Sequence, residues 1–172
     1  VFCSGADLSE ASSQGMSEGA RALVALQRLI ATLDKPVVTK NLGAVRAGGI
    51  GIVAAADIAI SAEEATFALT EVKLGLAPAV ISLTVHHRMN PRAAALTTLS
   101  GEVFTGIEAA AYGLVTKAVP AASLEAEVGR DRGDGSGVVG LVATDGHESV
   151  GATGEDVGDD VLELAGLVAA EG

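Results

Sequence analysis

Between Val37 and Ser61 the chain changes local character several times, and that alternation limits the folds open to it. Val37-Val38-Thr39 is β-branched throughout and reads as a short strand. Gly43-Ala-Val-Arg-Ala-Gly-Gly-Ile-Gly follows as a glycine-rich loop, from which a short buried helix starts near Gly48 and runs through Ile52-Val-Ala-Ala-Ala. Asp57-Ile-Ala-Ile-Ser is the next strand. Strands alternating with helices, with apolar residues on both, argue an α/β layer architecture.

The flanking segments repeat the theme. Residues 17–33 read as an amphipathic helix, with Ala20, Leu23, Val24, Leu26, Ile30 and Leu33 recurring near helical spacing and Gln27 interrupting that face. Ser17-Glu18 suits its positive end, and Lys35-Pro36 ends it, because the residue before proline avoids helical dihedrals. Thr66-Phe-Ala-Leu is a short strand, and Glu71 to Pro78 a loop. Helices are expected near 80–89 and 91–99, the second opened by Asn90 as cap and Pro91 at the first helical position. Glu108 to Tyr112 is a helix closed by Gly113, and Leu114 to Val119 the strand after it. At the start, Val1-Phe2-Cys3 reads as the end of a buried strand and Ser4-Gly5-Ala6-Asp7 as a turn.

Composition narrows the setting. The 172 residues fit one domain, and with only four aromatic residues its interior must be filled by Val, Ala, Leu and Ile. Cys3 is the single cysteine, which excludes an intramolecular disulfide and suits a reducing cytoplasm. No apolar run approaches a membrane span and no basic-then-apolar leader is present, so neither insertion nor export is expected. Residues 1–125 carry 11 acidic and 9 basic side chains, whereas residues 126–172 carry 11 acidic and only 2 basic. No basic stripe is available to neutralise phosphates, so nucleic acid is not an expected partner.

That asymmetry marks the expected division into a core, 1–125, and an acidic tail, 126–172. Of the 47 tail residues, 36 are Gly, Ala, Val, Asp or Glu, the amino acids whose codons begin with G. A GC-rich gene read out of frame gives this bias, which points to a frameshift near residue 128; the alternative is a genuine, weakly structured acidic tail. Residues 160–170 fit a short helix through Val161, Leu162, Leu164 and Leu167.

Three segments taken in order carry a family signature. They are Phe2-Cys3-Ser4-Gly5-Ala6-Asp7-Leu8-Ser9-Glu10; Lys35-Pro36-Val37-Val38 running through Gly43 to Ala47-Gly48-Gly49 and Ala56-Asp57-Ile58; and Phe67-Ala-Leu-Thr-Glu71-Val-Lys-Leu-Gly75-Leu-Ala-Pro78. Behind them, Gly101-Glu-Val-Phe-Thr-Gly-Ile-Glu-Ala and Ala111-Tyr-Gly113-Leu-Val continue the pattern. Over roughly residues 1–125 the chain resembles the enoyl-CoA hydratase, or crotonase, family. The resemblance implies a partial crotonase-like ββα spiral in which short strands alternate with helices. Family domains begin several strands and a helix before the position of Val1.

The resemblance also implies chemistry on an acyl-CoA thioester. Hydrating a 2-enoyl-CoA, or shifting its double bond, puts negative charge on the thioester oxygen. Two backbone N–H groups stabilise that charge, each typically worth about 3–4 kcal/mol. By the match the donors are Ala6 and Gly48, with Ser4, Asp7, Leu8, Gly49 and Pro78 as substrate-binding positions. Gly48-Gly49 begins the expected helix, whose positive dipole end would face the enolate. Family hydratases commonly use two glutamates. One matches Glu71, which would serve as acid and base; the other matches Gly51, which cannot. Subgroups resembling methylglutaconyl- or branched acyl-CoA hydratases carry a similar glycine run, so a one-glutamate hydratase is the implied reading, with an isomerase or lyase left open. Coenzyme A is part of the substrate and no cofactor or metal is implied. A homo-oligomer, trimer or dimer of trimers, is implied as the assembly.

Plainer readings stand beside these. Gly5-Ala6 and Gly48-Gly49 taken singly are ordinary turn and loop-to-helix junctions. Asp7 suits a turn or cap, and Asp57 the junction between helix and strand. Arg46 and Lys73 suit solvated surface rather than an anionic ligand. His86 and His87 point about 100° apart on a helix and do not converge on one ion. Tyr112 suits the core. A chain with Gly51 and altered ends is also open to being a non-catalytic remnant that binds coenzyme A or serves as an oligomer subunit.

Overall fold

The computed structural model describes residues 13–131, 139–143 and 150–153. The expected strand end at Val1-Phe2-Cys3, the turn Ser4-Gly5-Ala6-Asp7, Leu8 and the helix at 160–170 lie outside the described residues.

Helix α1 (Ser13–Thr32) starts earlier than the Ser17-Glu18 pair suggested. Its inward stripe also differs from the expected one. Leu26, Gln27 and Ile30 are buried, Leu23, Leu29 and Leu33 are partly buried against the core, and Val24 faces outward. Gln27 is admitted because its amide is satisfied. Nε2 donates to the carbonyls of Leu23 (3.2 Å) and Val80 (3.5 Å), and Oε1 accepts from Thr84 Oγ1 at 2.7 Å.

Strand β1 (Val37–Asn41) leads through β2 (Val45–Arg46) into helix α2 (Gly48–Ala55) and then β3 (Ile58–Ala62). Asp57 shapes this junction, as expected. Its Oδ2 accepts from the Val37 N–H at 2.8 Å, while its own N–H donates to the Val37 carbonyl at 3.0 Å. Strand β4 (Thr66–Ala68) is followed by a 3₁₀ turn at Thr70–Leu74, where the sequence suggested only a loop. Helices α3 (Ala79–Arg88) and α4 (Pro91–Ser100) come next, the latter capped by Asn90, whose side chain accepts from the Ala93 N–H. Strand β5 (Phe104–Thr105), helix α5 (Gly106–Tyr112), strand β6 (Lys117–Val119) and helix α6 (Ala121–Asp131) complete the core. Gly113 closes α5 in the left-handed conformation, φ 84°.

Two sheets result. The larger has strand order β6-β3-β1 and continues with β7 (Val139–Ala143) and β8 (Val150–Thr153). Strand β1 runs parallel to β3, with Val38 opposite Ile58, and parallel to β7, with Val37 opposite Val139. Helix α6 crosses the composition change at residue 126 without a break, burying Leu124 and Val128. The tail, read from sequence as weakly structured or a short helix, thus supplies the end of a helix and two strands. The physical reason is the free edge of β1, whose N–H and C=O groups pair with a strand laid beside them.

The smaller sheet has the order β2-β4-β5, with β2 and β4 parallel and β4 and β5 antiparallel. The three aromatics among the described residues gather around β4 and β5. The rings of Phe67 and Phe104 stack at 5.7 Å, and Tyr112 meets Phe104 at 5.5 Å. Aliphatic side chains fill the rest, as composition required.

Helix α2 lies at the centre, with Gly49 through Ala55 all buried. A helix apolar on every side is stable only when surrounded. Its last carbonyls are met from α3, because Arg88 Nε donates to Ala54 and Nη2 to Ala56, both at 2.9 Å. Replacing Arg88 by Ala leaves two buried carbonyls without donors and should destabilise the fold by about 1–3 kcal/mol. Urea denaturation of Arg88→Ala against the parent chain measures this; equal midpoints and slopes would contradict it.

Candidate active site

The small sheet aligns the two segments that carry the candidate chemistry. In the parallel pair, Val45 lies opposite Phe67 and Arg46 opposite Ala68. One further bond, Ala47 N–H to the Ala68 carbonyl at 3.2 Å, extends the pairing past the strands. Beyond it the chains part. One enters α2 at Gly48, and the other reaches Glu71 through Leu69 and Thr70. Parallel register therefore delivers Gly48 and Glu71 to the same end of the sheet.

Ala47 carries backbone strain. Its φ of 44° and ψ of −120° make it the one non-glycine residue with positive φ among the described residues. Such conformations cost roughly 1–3 kcal/mol and persist only where neighbours impose them. Here they are imposed from both sides, by the Ala47–Ala68 bond and by the Ile50 N–H donating to the Ala47 carbonyl at 3.0 Å. The strain turns the chain abruptly from strand into helix. Gly48 and Gly49 thus present first-turn N–H groups that have no acceptor among the described residues. Gly49 is buried and Gly48 partly so. A buried N–H without an acceptor is rare enough to mark a place where a ligand oxygen would be welcome.

Glu71 sits in the 3₁₀ turn, partly buried, with Oε2 enclosed and without a hydrogen-bond partner. Burial pushes its pKa up from the ordinary carboxylate value, opposed in part by its own backbone N–H. The Glu71 carbonyl accepts from Leu76 N–H at 3.0 Å, and Gly75 takes the left-handed conformation that folds this turn back on itself. Pro78, at the cap position of α3, is partly buried.

Gly51 lies three residues after Gly48, near the same face of α2. That face is closed. A Cβ on Gly51 would come within 2.4 Å of Ile81 Cγ2 and 2.9 Å of Gln27 Oε1, and one on Gly48 within 2.7 Å of Leu23 Cδ2. No side chain fits at Gly51 unless its neighbours move.

Of the residues singled out from sequence, Gly48, Gly49, Glu71 and Pro78 therefore fall on adjoining segments. Ala6, Ser4, Asp7 and Leu8 lie outside the described residues. Arg46 departs from the solvated reading. Its Nη1 donates to the Thr66 carbonyl at 2.7 Å and Nη2 to Thr66 Oγ1 at 3.0 Å, so it clamps β2 to β4. Lys73, His86 and His87 are exposed, and Tyr112 packs in the aromatic cluster. Sequence reasoning missed Gln27 and Ile81 as the side chains packed against Gly51. The signal for Gln27 was an amide on an apolar helical stripe, which buries only with partners in reach.

A model of the enoyl-CoA hydratase/isomerase family matches residues 1–130, ending close to where the composition changes. The mouse enoyl-CoA hydratase domain-containing protein 3, mitochondrial, is 34% identical over 135 residues, which is 76% of this chain and 45% of that protein. A hydroxycinnamoyl-CoA hydratase-lyase from Pseudomonas fluorescens is 34% identical over 98 residues, 56% of this chain and 36% of that protein. The crystal structure of an enoyl-CoA hydratase from Mycobacterium avium superimposes with a TM-score of 0.71 at 41% identity, covering 79% of this chain and 53% of that one. The chain spans about half the length of the curated relatives it matches. The crotonase-like α/β fold expected from the motifs is the fold observed, and the chain belongs to the enoyl-CoA hydratase/isomerase family.

Proposed function

We propose that this chain carries a thioester-enolate site and that its reaction is the hydration of a 2-enoyl-CoA. The observation that supports this most is the pairing of the Gly48 N–H, without an acceptor among the described residues and held out by strained Ala47, with the partly buried Glu71 carboxyl at the same sheet end. In this reading the thioester oxygen accepts from Gly48 N–H and, by the family resemblance, from Ala6 N–H. The ionised Glu71 takes a proton from water as the hydroxyl oxygen bonds to the β carbon. The π electrons move toward the thioester oxygen, and the resulting enolate takes the proton back from Glu71 at the α carbon. Proton and electron pair balance with one acid–base group. Coenzyme A enters as part of the substrate.

The exposed apolar side chains of Leu83, Leu99 and Ile107 support assembly with further copies of the chain. A reducing compartment, cytoplasmic by the argument from a lone Cys3, completes the proposal; no described helix is long and apolar enough to cross a membrane. A second reading draws on the closed face at Gly51, which removes the family's second carboxylate. In that reading the chain binds acyl-CoA, or serves as a subunit, without turnover.

Replacing Glu71 by Gln should lower turnover of a simple 2-enoyl-CoA by about 100-fold or more. In the parent the acid limb of kcat should lie above the ordinary carboxylate range, because the base form is needed and burial raises its pKa. Folding has the opposite pH dependence. A raised folded pKa means that the folded state holds this proton more tightly, so stability falls as pH rises through the raised value. Glu71→Gln should abolish that decline and melt no lower than the parent at neutral pH. Unchanged turnover in the variant would refute the catalytic role, and absence of any hydration in the parent would favour the second reading.

The closed face makes a separate prediction. Gly51→Ala should destabilise by about 1–3 kcal/mol through overpacking. In the Ile81→Ala background the same change should cost less, since the nearest obstructing methyl, Ile81 Cγ2, is gone. Additive effects in the double-mutant cycle would contradict the contact.

A further inference from the structure

The peptide between Ala47 and Gly48 decides which group faces the end of the small sheet. In a trans peptide the N–H and C=O point in opposite directions. The Ala47 carbonyl points into α2 and accepts from Ile50 N–H at 3.0 Å, so the Gly48 N–H points away from it, with no acceptor among the described residues. That orientation sets Ala47 at φ 44° and ψ −120°, outside the regions an L residue occupies without strain. Turning this one peptide plane by half a turn leaves φ of Ala47 at 44° and carries its ψ to roughly +60°, beside the left-handed region that alanine tolerates. The same turn carries φ of Gly48 from its helical value to roughly +120°, which only glycine adopts readily. Ala47 N–H stays on the Ala68 carbonyl throughout, because φ of Ala47 does not change. The Ile50 bond is lost and the strain is released, two effects of the same order. Ala47 and Gly48 are both partly exposed, so neither is enclosed on all sides.

We propose that the Ala47–Gly48 peptide is a two-state switch of the thioester site. In the donor state the Gly48 N–H faces the site; in the other the Ala47 carbonyl stands in its place and repels a thioester oxygen. An acyl-CoA carbonyl bonds to the first state and is excluded by the second, so binding draws the population to the donor state. The affinity measured is that of the donor state reduced by its share of the free chain. The inference rests on the thioester reading above. It also gives Gly48 a role beyond making room for Leu23, whose Cδ2 would lie 2.7 Å from a Cβ there, since only glycine at this position permits both states.

Substitutions at Ala47 should move the balance in opposite directions. Ala47→Gly removes the strain of the donor state, whereas Ala47→Asn favours the left-handed conformation of the other. The readout is hydrogen exchange of the Ile50 amide, whose acceptor exists only in the donor state, measured against Val53 further along α2. Without ligand, Ile50 exchange should slow by about threefold or more in Ala47→Gly and quicken by about threefold or more in Ala47→Asn, with Val53 changed little. Butanoyl-CoA, a thioester that cannot be hydrated, should bind more tightly to the first variant and more weakly to the second, and should slow Ile50 exchange in the parent. Ile50 exchange that is equal in parent and variants, or that moves only together with Val53, would overturn the switch. So would an affinity that falls in both variants. Should one variant fail to fold, the direction of change in the other against the parent decides. A parent that fails to bind butanoyl-CoA while Ile50 exchange still separates the variants would instead overturn the thioester reading on which the proposal depends.

Discussion

The bond from the Ala47 N–H to the Ala68 carbonyl is the last rung of a very short parallel ladder, and the site is arranged around it. Strands of two and three residues cannot define a direction by themselves. The clamp of Arg46 on Thr66 and the burial of Val45, Phe67 and Ala68 hold them in one register. That register decides which residues emerge together at the sheet end. A slip by one residue would put Val45 and Phe67 on the wrong face and separate Gly48 from Glu71. The strain at Ala47 is the local consequence of turning from this ladder directly into a helix.

Helix α2 shows how the fold distributes satisfaction and need. At its C-terminal end the Ala54 and Ala56 carbonyls are met by the Arg88 guanidinium. At its N-terminus, Gly48 and Gly49 offer N–H groups without described acceptors, and the neighbouring Glu71 keeps an enclosed oxygen without a donor. Donors and an acceptor left unpaired at one place, in a protein whose other buried polar side chains are largely paired, carry a free-energy cost that bound substrate would offset. The raised pKa of Glu71 expresses the same condition, because a desolvated carboxylate is both less stable and a stronger base.

Much of this arrangement was legible in the sequence, and the exceptions have physical causes. The strands at Val37 and Ile58, the buried helix at Gly48 and the cap at Asn90 follow from β-branching, apolar runs and a proline at the first helical position. Glu71 and Gly48 were found by motif resemblance, since nothing in local periodicity distinguishes a catalytic glutamate from a solvated one. Strands β2 and β5 were missed because two-residue strands carry no period. The buried side of α1 was misjudged at Val24 and Gln27, because hydropathy counts an amide as polar without knowing that Thr84 and Val80 stand opposite it. Strand β7 was missed because its pairing depends on the open edge of β1, more than ninety residues away in sequence. The obstruction of Gly51 by Ile81 is a contact between helices and leaves no trace in either local segment.

In the proposed reading the Gly48 N–H polarises a thioester carbonyl. Isotope-edited infrared spectroscopy of a ¹³C-carbonyl-labelled acyl-CoA bound to the chain tests it most directly. Hydrogen bonding from backbone donors weakens the C=O bond, so the carbonyl stretch of the bound ligand should move to lower frequency than in water. Glu71→Gln should keep that shift, because the donors are main-chain groups. A ligand that binds with its carbonyl stretch at or above the aqueous value would contradict the account.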